Sequence, residues 1–405
     1  MRRWTSGPGP LLLGLGVVAA AAAFTADGSA AVDAARRAWP PFVLVTGLLL
    51  VGVVAHDDGL FDAVAARLER RPALRAGRRP DGRLLVALLL VVAATTAVLN
   101  LDTSVAFLTP ILVLAARRRG AAEEPFLYGA VFMSNAASLL LPGSNLTNLL
   151  VLAGSRVNGA AFAACMAPAW LAAVAVTSAV LLHRLRRAAG EGPVRGTAAP
   201  DNPEPIVASG EAGSVGLEPW VRWSLGAVAT IAAGGLVLAV PAPAIPVLVV
   251  GLGAAAVRLW GRRLSPEGIV EAVGPAALVG VYGIAVGLGT LAASWTAPAR
   301  LVARSGPAAA AVVGTAAAVT VNNLPAAVLL APHRPAHPEG LLLGLNLGPN
   351  LAVTGSLSAL LWYQAARRVG ARPSARTYSK IGLALVPLSI AAALAALALT
   401  PGGGF

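Results

Sequence analysis

Cysteine, aromatic residues and charge are all scarce in this chain. One cysteine, Cys165, occurs in 405 residues. A lone thiol excludes an intramolecular disulfide and an intramolecular thiolate cluster for a soft metal, and its ordinary role is small-residue packing. Charged residues make up 12% and aromatics 5%, against 57% hydrophobic residues and a mean hydropathy of +0.74. That balance excludes a soluble globular domain. The apolar runs are long and do not alternate with polar residues, which excludes an outer-membrane barrel. The chain therefore reads as an all-α polytopic membrane protein in a lipid bilayer, its apolar mass of Ala, Leu, Val and Gly suited to close helix packing. Walker motifs, nucleotide fingerprints and catalytic triads are also missing, so neither an enzyme nor a cofactor is expected.

What charge there is has a sign. The net charge of +13 would suggest a nucleic-acid partner in a soluble protein, but here the arginines sit in short loops between apolar runs and read as topology determinants, with no nucleic acid implied. Apolar spans are expected at 10–26, 40–56, 125–153, 160–183, 220–240, 244–258, 268–295, 340–363 and 378–399, and polar breaks interrupt two more stretches, 83–116 and 305–332. The first thirty residues imitate a secretory signal but are read as an uncleaved first helix. The arginine-rich loops at 67–83, 117–119, 184–187, 258–263 and 367–376 should share the cytoplasmic side, which also places the N-terminus there.

That constraint makes 83–116 enter and leave on one side, as a re-entrant hairpin or two short spans, and 305–332 do the same from the other. Helix 10–26 then pairs with 244–258, 40–56 with 268–295, 125–153 with 340–363, and 160–183 with 378–399, every pair antiparallel. The expected organisation is a first repeat over 1–187, a flexible linker over 188–217 rich in Gly, Pro, Glu, Ser and Ala, and a second repeat over 218–405 with helix 220–240 as the extra element. These are two inverted-topology repeats with re-entrant hairpins and discontinuous helices. Residues 58–71 place Leu60, Phe61, Val64 and Leu68 on one helical face, which suits an amphipathic helix at the interface or an extension of the preceding span.

A polar, helix-breaking segment occurs twice, at 135–150 and 346–361. An offset of 211 sets Asn135 on Asn346, Leu146 on Leu357 and Thr147 on Ser358. Unsatisfied backbone is costly in lipid, so such clusters imply backbone that lines a cavity, and two in corresponding places point to a transporter's central site. Ser144, Asn145, Thr147 and Asn148 follow Pro142-Gly143, and Thr354, Gly355, Ser356 and Ser358 follow Gly348-Pro349. Helix starts of this kind suit an anion or oxyacid, and the opposed carbonyl ends suit a cation.

The broken stretches at 95–110 and 315–332 form a second pair, and an offset of about 221 sets Asp102 on Asn323. Asp102 is the sharpest residue of the chain. An ionised carboxylate in such an apolar run costs about 2.5 to 3.5 kcal/mol on insertion scales, so a functional role is the default, with capping of the following half-helix as the structural alternative. A neutral Asp102 suits a proton carrier, whereas a bound cation favours the charged form. Asn322, Asn323 and Pro325 are expected to break the second hairpin at its tip, and Asn100 and Thr103 flank Asp102 in the first. Thr95, Thr96, Ser138 and Thr177 are read as bonding their own helix. His56, Asp57 and Asp58 are expected to face the interface, and His333 and His337 a Pro-rich loop without metal-site spacing.

The stretch GLNLGPNLAVTGSLSALLW at 344–362 resembles the signature of the arsenite permease family (ArsB) within the ion transporter superfamily. NAASLLLPGSNLTNLL resembles that family's first Ser-Asn motif and VNNLPA its second-half hairpin. One departure is Leu101, where the family commonly has Asn before Asp. The resemblance implies export of arsenite and antimonite in exchange for protons from a bacterial plasma membrane, with an optional soluble ATPase subunit. By analogy with the architecture, it also implies a homodimer. Asp102 is then the coupling residue, with Asn145, Thr147, Asn322, Asn323 and Ser356 on the substrate, a small oxyacid or ion. A sodium/proton antiporter like the superfamily's NhaD type is the second reading. A dicarboxylate or inorganic anion carrier is third, since no Arg or Lys stands at the breaks, and a non-transporting scaffold or intramembrane enzyme is the remote one.

Overall fold

The computed structural model describes residues 9–75, 80–153, 155, 157–190, 224–332 and 335–400. Most of the expected linker, along with His333, lies outside the described residues. Helix α1 (Gly9–Ala26) is followed by α2 (Gly28–Asp57), α3 (Leu60–Arg70), α4 (Pro72–Arg75), α5 (Pro80–Val98), α6 (Leu101–Arg119), α7 (Glu123–Ala137), α8 (Leu146–Val151) and α9 (Gly159–Gly190). After the linker come α10 (Leu225–Ala239), α11 (Ala244–Trp260), α12 (Pro266–Val273), α13 (Pro275–Ser294), α14 (Ala297–Ala303), α15 (Pro307–Val321), α16 (Asn323–Leu330), α17 (Pro338–Leu347), α18 (Leu357–Arg368) and α19 (Ala375–Ala398). The protein is an all-α, multi-pass membrane protein. Among the described residues, six helices are long and apolar enough to cross a bilayer.

Two expected spans have different bounds. The second helix starts at Gly28 rather than residue 40, with Asp27 capping it by accepting from the Ala30 amide at 2.9 Å. The expected span 268–295 is two helices, because Gly274 takes φ +61° and Pro275 opens a new one. Gly59, at φ +67°, likewise separates α3 from α2 and rules out a simple extension. Phe61 and Ala65 are the buried side of α3, while Val64 faces out.

The same order of elements recurs in the two halves, and the packing partners interchange. Helix α1 lies on α13 just as α11 lies on α2, and α5 lies on α7 just as α15 lies on α17. Small residues permit these contacts, since membrane helices associate by close van der Waals packing. A Cβ on Gly16 would lie 2.1 Å from Gly280 O. Gly340 and Gly344 of α17 and Gly348 just after it recur every fourth residue against α15. A Cβ on Gly344 would sit 2.1 Å from Ala311 O of α15.

The arginine-bearing helix ends join at one face. Arg258 at the end of α11 pairs with Asp58, which also accepts from the Gly226 amide of α10 at 2.7 Å. Asp58 is thus a buried tie between three helices rather than an interfacial acid. Arg118 pairs with Glu69 at 2.8 Å, Arg117 with Glu123 at 2.7 Å and with Val369 O, and Arg184 with Glu124. The first broken segment, α7 to α8, starts at this face, and the second, α17 to α18, ends at it. The first hairpin, α5 to α6, has both ends there through Arg83 to Ala73 O at 3.1 Å and Arg118 to Glu69. The second hairpin starts where α17 starts, with Pro307 against Gly340.

Replacing Gly344 with Val forces a side chain into the Ala311 carbonyl and should cost roughly 1 to 3 kcal/mol or more. The matched Gly235→Val on α10, where a Cβ meets nothing within 4 Å, should be tolerated. The monodisperse yield after detergent extraction reads the difference, and equal yields would contradict the packing described.

Candidate functional site

The two breaks form because each contains residues that end one helix and cap the next. Helix α7 stops at Ala137, a 3₁₀ turn covers Pro142–Ser144, and Asn145 caps α8 by accepting from the Thr147 amide at 3.0 Å. Helix α17 stops at Leu347, 3₁₀ turns cover Gly348–Leu351 and Val353–Gly355, and Ser356 caps α18 through the Ala359 amide at 3.2 Å. The starts at Leu146 and Leu357 keep the offset of 211 seen in the sequence. The dipoles they offer are unequal, because α8 has 6 residues and α18 has 12.

The breaks do not face each other across an open space; they are bonded together. Asn346 Oδ1 accepts from Asn145 Nδ2 at 2.6 Å and from Ser138 Oγ at 2.8 Å, and its Nδ2 donates to Asn148 Oδ1 at 2.8 Å. Asn135 Nδ2 donates to Asn350 Oδ1 at 2.7 Å. All six side chains are nearly or wholly buried. Asn148 also donates to the carbonyls of Ser138 and Leu141, and Ser144 Oγ donates to the same two carbonyls. Ser144 and Asn148 are therefore committed to holding the first break rather than open to a solute. Ser358 Oγ donates to Ser356 Oγ at 3.0 Å, and Gly355 permits close approach to Pro349, where a Cβ would lie 2.7 Å from Pro349 Cα. Ser138 Oγ bonds its own helix at Asn135 O, 2.8 Å, as expected, and also reaches Asn346 across the halves. Thr96 and Thr177 depart from that reading, with buried hydroxyls that make no hydrogen bond.

Each hairpin touches both breaks. The inbound helix packs on the break of its own half, α5 on the 3₁₀ turn at 142–144 and α15 on that at 353–355. The outbound helix packs on the restarted helix of the other half, α6 on α18 and α16 on α8. The turns themselves correspond at Asn100 and Asn322. These residues have φ of 147° and 78° with ψ of 173° and 148°, outside αL in a region otherwise left to glycine, and each caps the helix that follows. Asn100 Oδ1 accepts from the Thr103 amide at 2.8 Å and Asn322 Oδ1 from the Leu324 amide at 3.3 Å. The offset is therefore 222, so Asp102 matches Leu324 rather than Asn323 and is not the cap. Pro325 falls in the first turn of α16, where its missing N–H does no harm.

Three of the buried polar atoms left over belong to the first hairpin, and the others are in Asn135, Trp170, Thr177, Arg258, Glu339 and Ser389. Asn100 Nδ2, Thr103 Oγ1 and Thr96 Oγ1 are buried without a hydrogen-bond partner. The Asp102 carboxylate has neither a hydrogen bond nor an ion pair among the described residues. Thr103 lies over α2 at Gly52, where a Cβ would come within 2.4 Å of its methyl. In the second hairpin, Asn322 Nδ2 donates to Thr354 O at 3.0 Å, while the Asn323 side chain, 4% exposed, makes no hydrogen bond. The Thr147 hydroxyl is likewise unbonded. Buried unsatisfied polar atoms are uncommon, and a cluster of them calls for a binding partner. No Arg or Lys lies at either break or hairpin tip among the described residues. Glu339 was not anticipated either. It is buried in the first turn of α17, with one oxygen 3.0 Å from His337 Nδ1 and the other unpaired, so His337 is not a bystander in a loop.

A protein-family model described as a citrate transporter (CitMHS) matches residues 4–336, stopping just before α17. Uncharacterized transporters from two strains of Mycobacterium tuberculosis are each 26% identical over 161 residues, which is 40% of this chain and 35% of theirs. The match spans about a third of those relatives' length. Among solved structures, the YdaH transporter of Alcanivorax borkumensis superposes with a TM-score of 0.58 at 13% identity, over 91% of this chain and 86% of that one. That likeness concerns the fold.

Asn346→Ala strands partners in Asn145, Asn148 and Ser138 at once, each costing roughly 1 kcal/mol or more when buried. It should lower the melting temperature in detergent clearly more than Asn323→Ala, whose side chain bonds nothing. The reverse order would contradict the bonding described.

Proposed function

Because the chain belongs to the citrate transporter family, we propose that it is a secondary transporter moving a small oxygen-rich solute through a site at the first hairpin and the two breaks. The transporter assignment follows from the family, and the choice of substrate and coupling is our reading. The unsatisfied buried cluster of Thr96, Asn100, Thr103 and the unpaired Asp102 carries it. These groups offer a hydroxyl, an amide donor and an acid to whatever enters, and Asp102 is assigned the coupling step. Asn323 and Thr147, whose side chains bond nothing, contribute from the second hairpin and the first break, while Asn145, Ser144, Asn148, Ser356, Ser358 and Gly355 shape the breaks.

The solute we favour is arsenite or antimonite, exported in exchange for protons. Arsenite is a neutral trihydroxy acid near pH 7, and hydroxyls and carboxamides suffice to meet it without a fixed cation. Three-thiolate coordination is ruled out within a chain that has one cysteine. A di- or tricarboxylate is the second reading, and the family match favours it. With no Arg or Lys at the breaks, the charge would have to be met by helix starts and co-bound cations. Sodium bound directly at Asp102 is the third. The two halves are read as inverted-topology repeats, since their broken segments meet the arginine face at opposite ends, with that face and the N-terminus cytoplasmic. A homodimer and a soluble ATPase subunit remain further proposals without a structural feature of their own.

Transport into everted vesicles or proteoliposomes separates the readings. Arsenite uptake abolished by a protonophore supports the first, proton- or cation-dependent citrate uptake the second, and sodium uptake the third. Asp102→Asn should reduce flux of the true substrate at least about tenfold at equal expression. Unchanged flux would remove Asp102 from the mechanism.

A further inference from the structure

A groove between α5 and α9 lies apart from the transport site and opens at the arginine face. It has a volume of about 610 Å³ and is lined by Leu74, Gly82, Arg83, Val86, Ala87, Leu90, Leu182 and Arg186. Its chemistry is graded along the helices. Arg83 stands near the start of α5 and Arg186 near the end of α9, so both charges belong to the same end of the groove. Val86, Ala87 and Leu90 follow one another down α5, and Leu90 is about 10 Å further along the axis than Arg83 at 1.5 Å per residue. Leu182 lies one turn inward from Arg186 on α9. The walls are thus apolar below two cations, and Leu90 is 51% exposed.

Several features hold this groove in shape. Arg83 Nη1 donates to Ala73 O, which ties α5 to the short α4 that carries Leu74 over the mouth. Gly82 lets α9 approach, since a Cβ there would lie 2.8 Å from Leu182 Cδ1. The amphipathic α3 leads into α4 with Phe61 and Ala65 buried, as expected of a segment lying along the membrane surface. A cationic mouth at the headgroup level above an apolar channel at acyl depth complements an anionic glycerophospholipid. Water-filled alternatives fit poorly, because the lining is almost wholly apolar below the arginines.

We propose that this groove binds one anionic phospholipid, its phosphate between Arg83 and Arg186 and an acyl chain along Val86, Ala87 and Leu90. The occupant is a lipid rather than a soluble phosphate because the apolar walls make up most of the surface.

Native mass spectrometry of the delipidated full-length protein tests this, with phosphatidylglycerol, phosphatidylcholine and soluble glycerol phosphate as probes. Wild type should retain phosphatidylglycerol in preference to phosphatidylcholine and ignore glycerol phosphate. The double variant Arg83→Gln, Arg186→Gln should bind phosphatidylglycerol about tenfold more weakly. Arg304→Gln, a control in a separate arginine-lined hollow beside α14, should not. Ala87→Trp fills the groove and keeps both arginines, and it should also release the lipid, which covers the case in which the double variant does not fold. Equal retention of the two lipids by wild type, retention by Ala87→Trp, or competition by glycerol phosphate would overturn the proposal.

Discussion

Asn346 is the point on which the two halves of this protein depend. Its one carboxamide serves Asn145, Asn148 and Ser138 across the molecule, and it sits where two helices have been broken inside an apolar body. Breaking a helix in lipid frees carbonyls and amides that no water can satisfy. Here they are met by the caps at Asn145 and Ser356, by Ser144 and Asn148 turned back on Ser138 and Leu141, by Asn322 on Thr354 O and by Tyr378 on Pro349 O, while the breaks bond each other side chain to side chain. The joint between the breaks is thus built from side chains, Asn135 to Asn350 and Asn346 to Asn145, Asn148 and Ser138.

That joint also shapes what is left for function. Because the carboxamides of the breaks are used on one another, the groups open to a solute are displaced toward the hairpin tips. The first tip is rich in unmet polar atoms and carries the acid. The second is pulled tight, with Gly340, Gly344 and Gly348 bringing α17 backbone to backbone with α15 and Asn322 tied to Thr354 O. The two hairpins thus differ, the first with unmet polar atoms and an acid, the second closely packed. The bonded arrangement belongs to one state, and transport requires that the hairpins or the halves move relative to this joint.

Much of this was legible in the sequence, for physical reasons that differ by element. Lipid imposes long apolar runs and gathers the arginines of 117–119, 184–187 and 258–263 at one face, so the order of the main spans, the two breaks and their offset of 211 could be read directly. The offset of the hairpins was misjudged by one residue because chemistry was aligned rather than geometry. Asp102 and Asn323 look alike, whereas the turn is fixed by Asn100 and Asn322, whose backbone needs φ above zero. Ser144 and Asn148 looked like ligands because a sequence shows which groups are polar but not which ones are already bonded. Asn135, Ser138 and Asn346 were missed as a network for the same reason, although the repetition of Asn135 and Asn346 in the two motifs was a usable signal. Asp58 and Glu339 lay outside any motif, and only tertiary packing shows that they are buried.

The central claim is that the unpaired polar tip of the first hairpin meets the transported solute. Thr103→Cys in a Cys165→Ala background places a single thiol at that tip. Labelling with a small water-soluble thiol reagent in sealed vesicles, with and without arsenite, citrate or sodium, then reads the site directly. The account predicts that Cys at position 103 reacts and that one of these solutes protects it in a saturable way. A thiol that no reagent reaches from either side, or one that reacts equally in the presence of every solute, would contradict it.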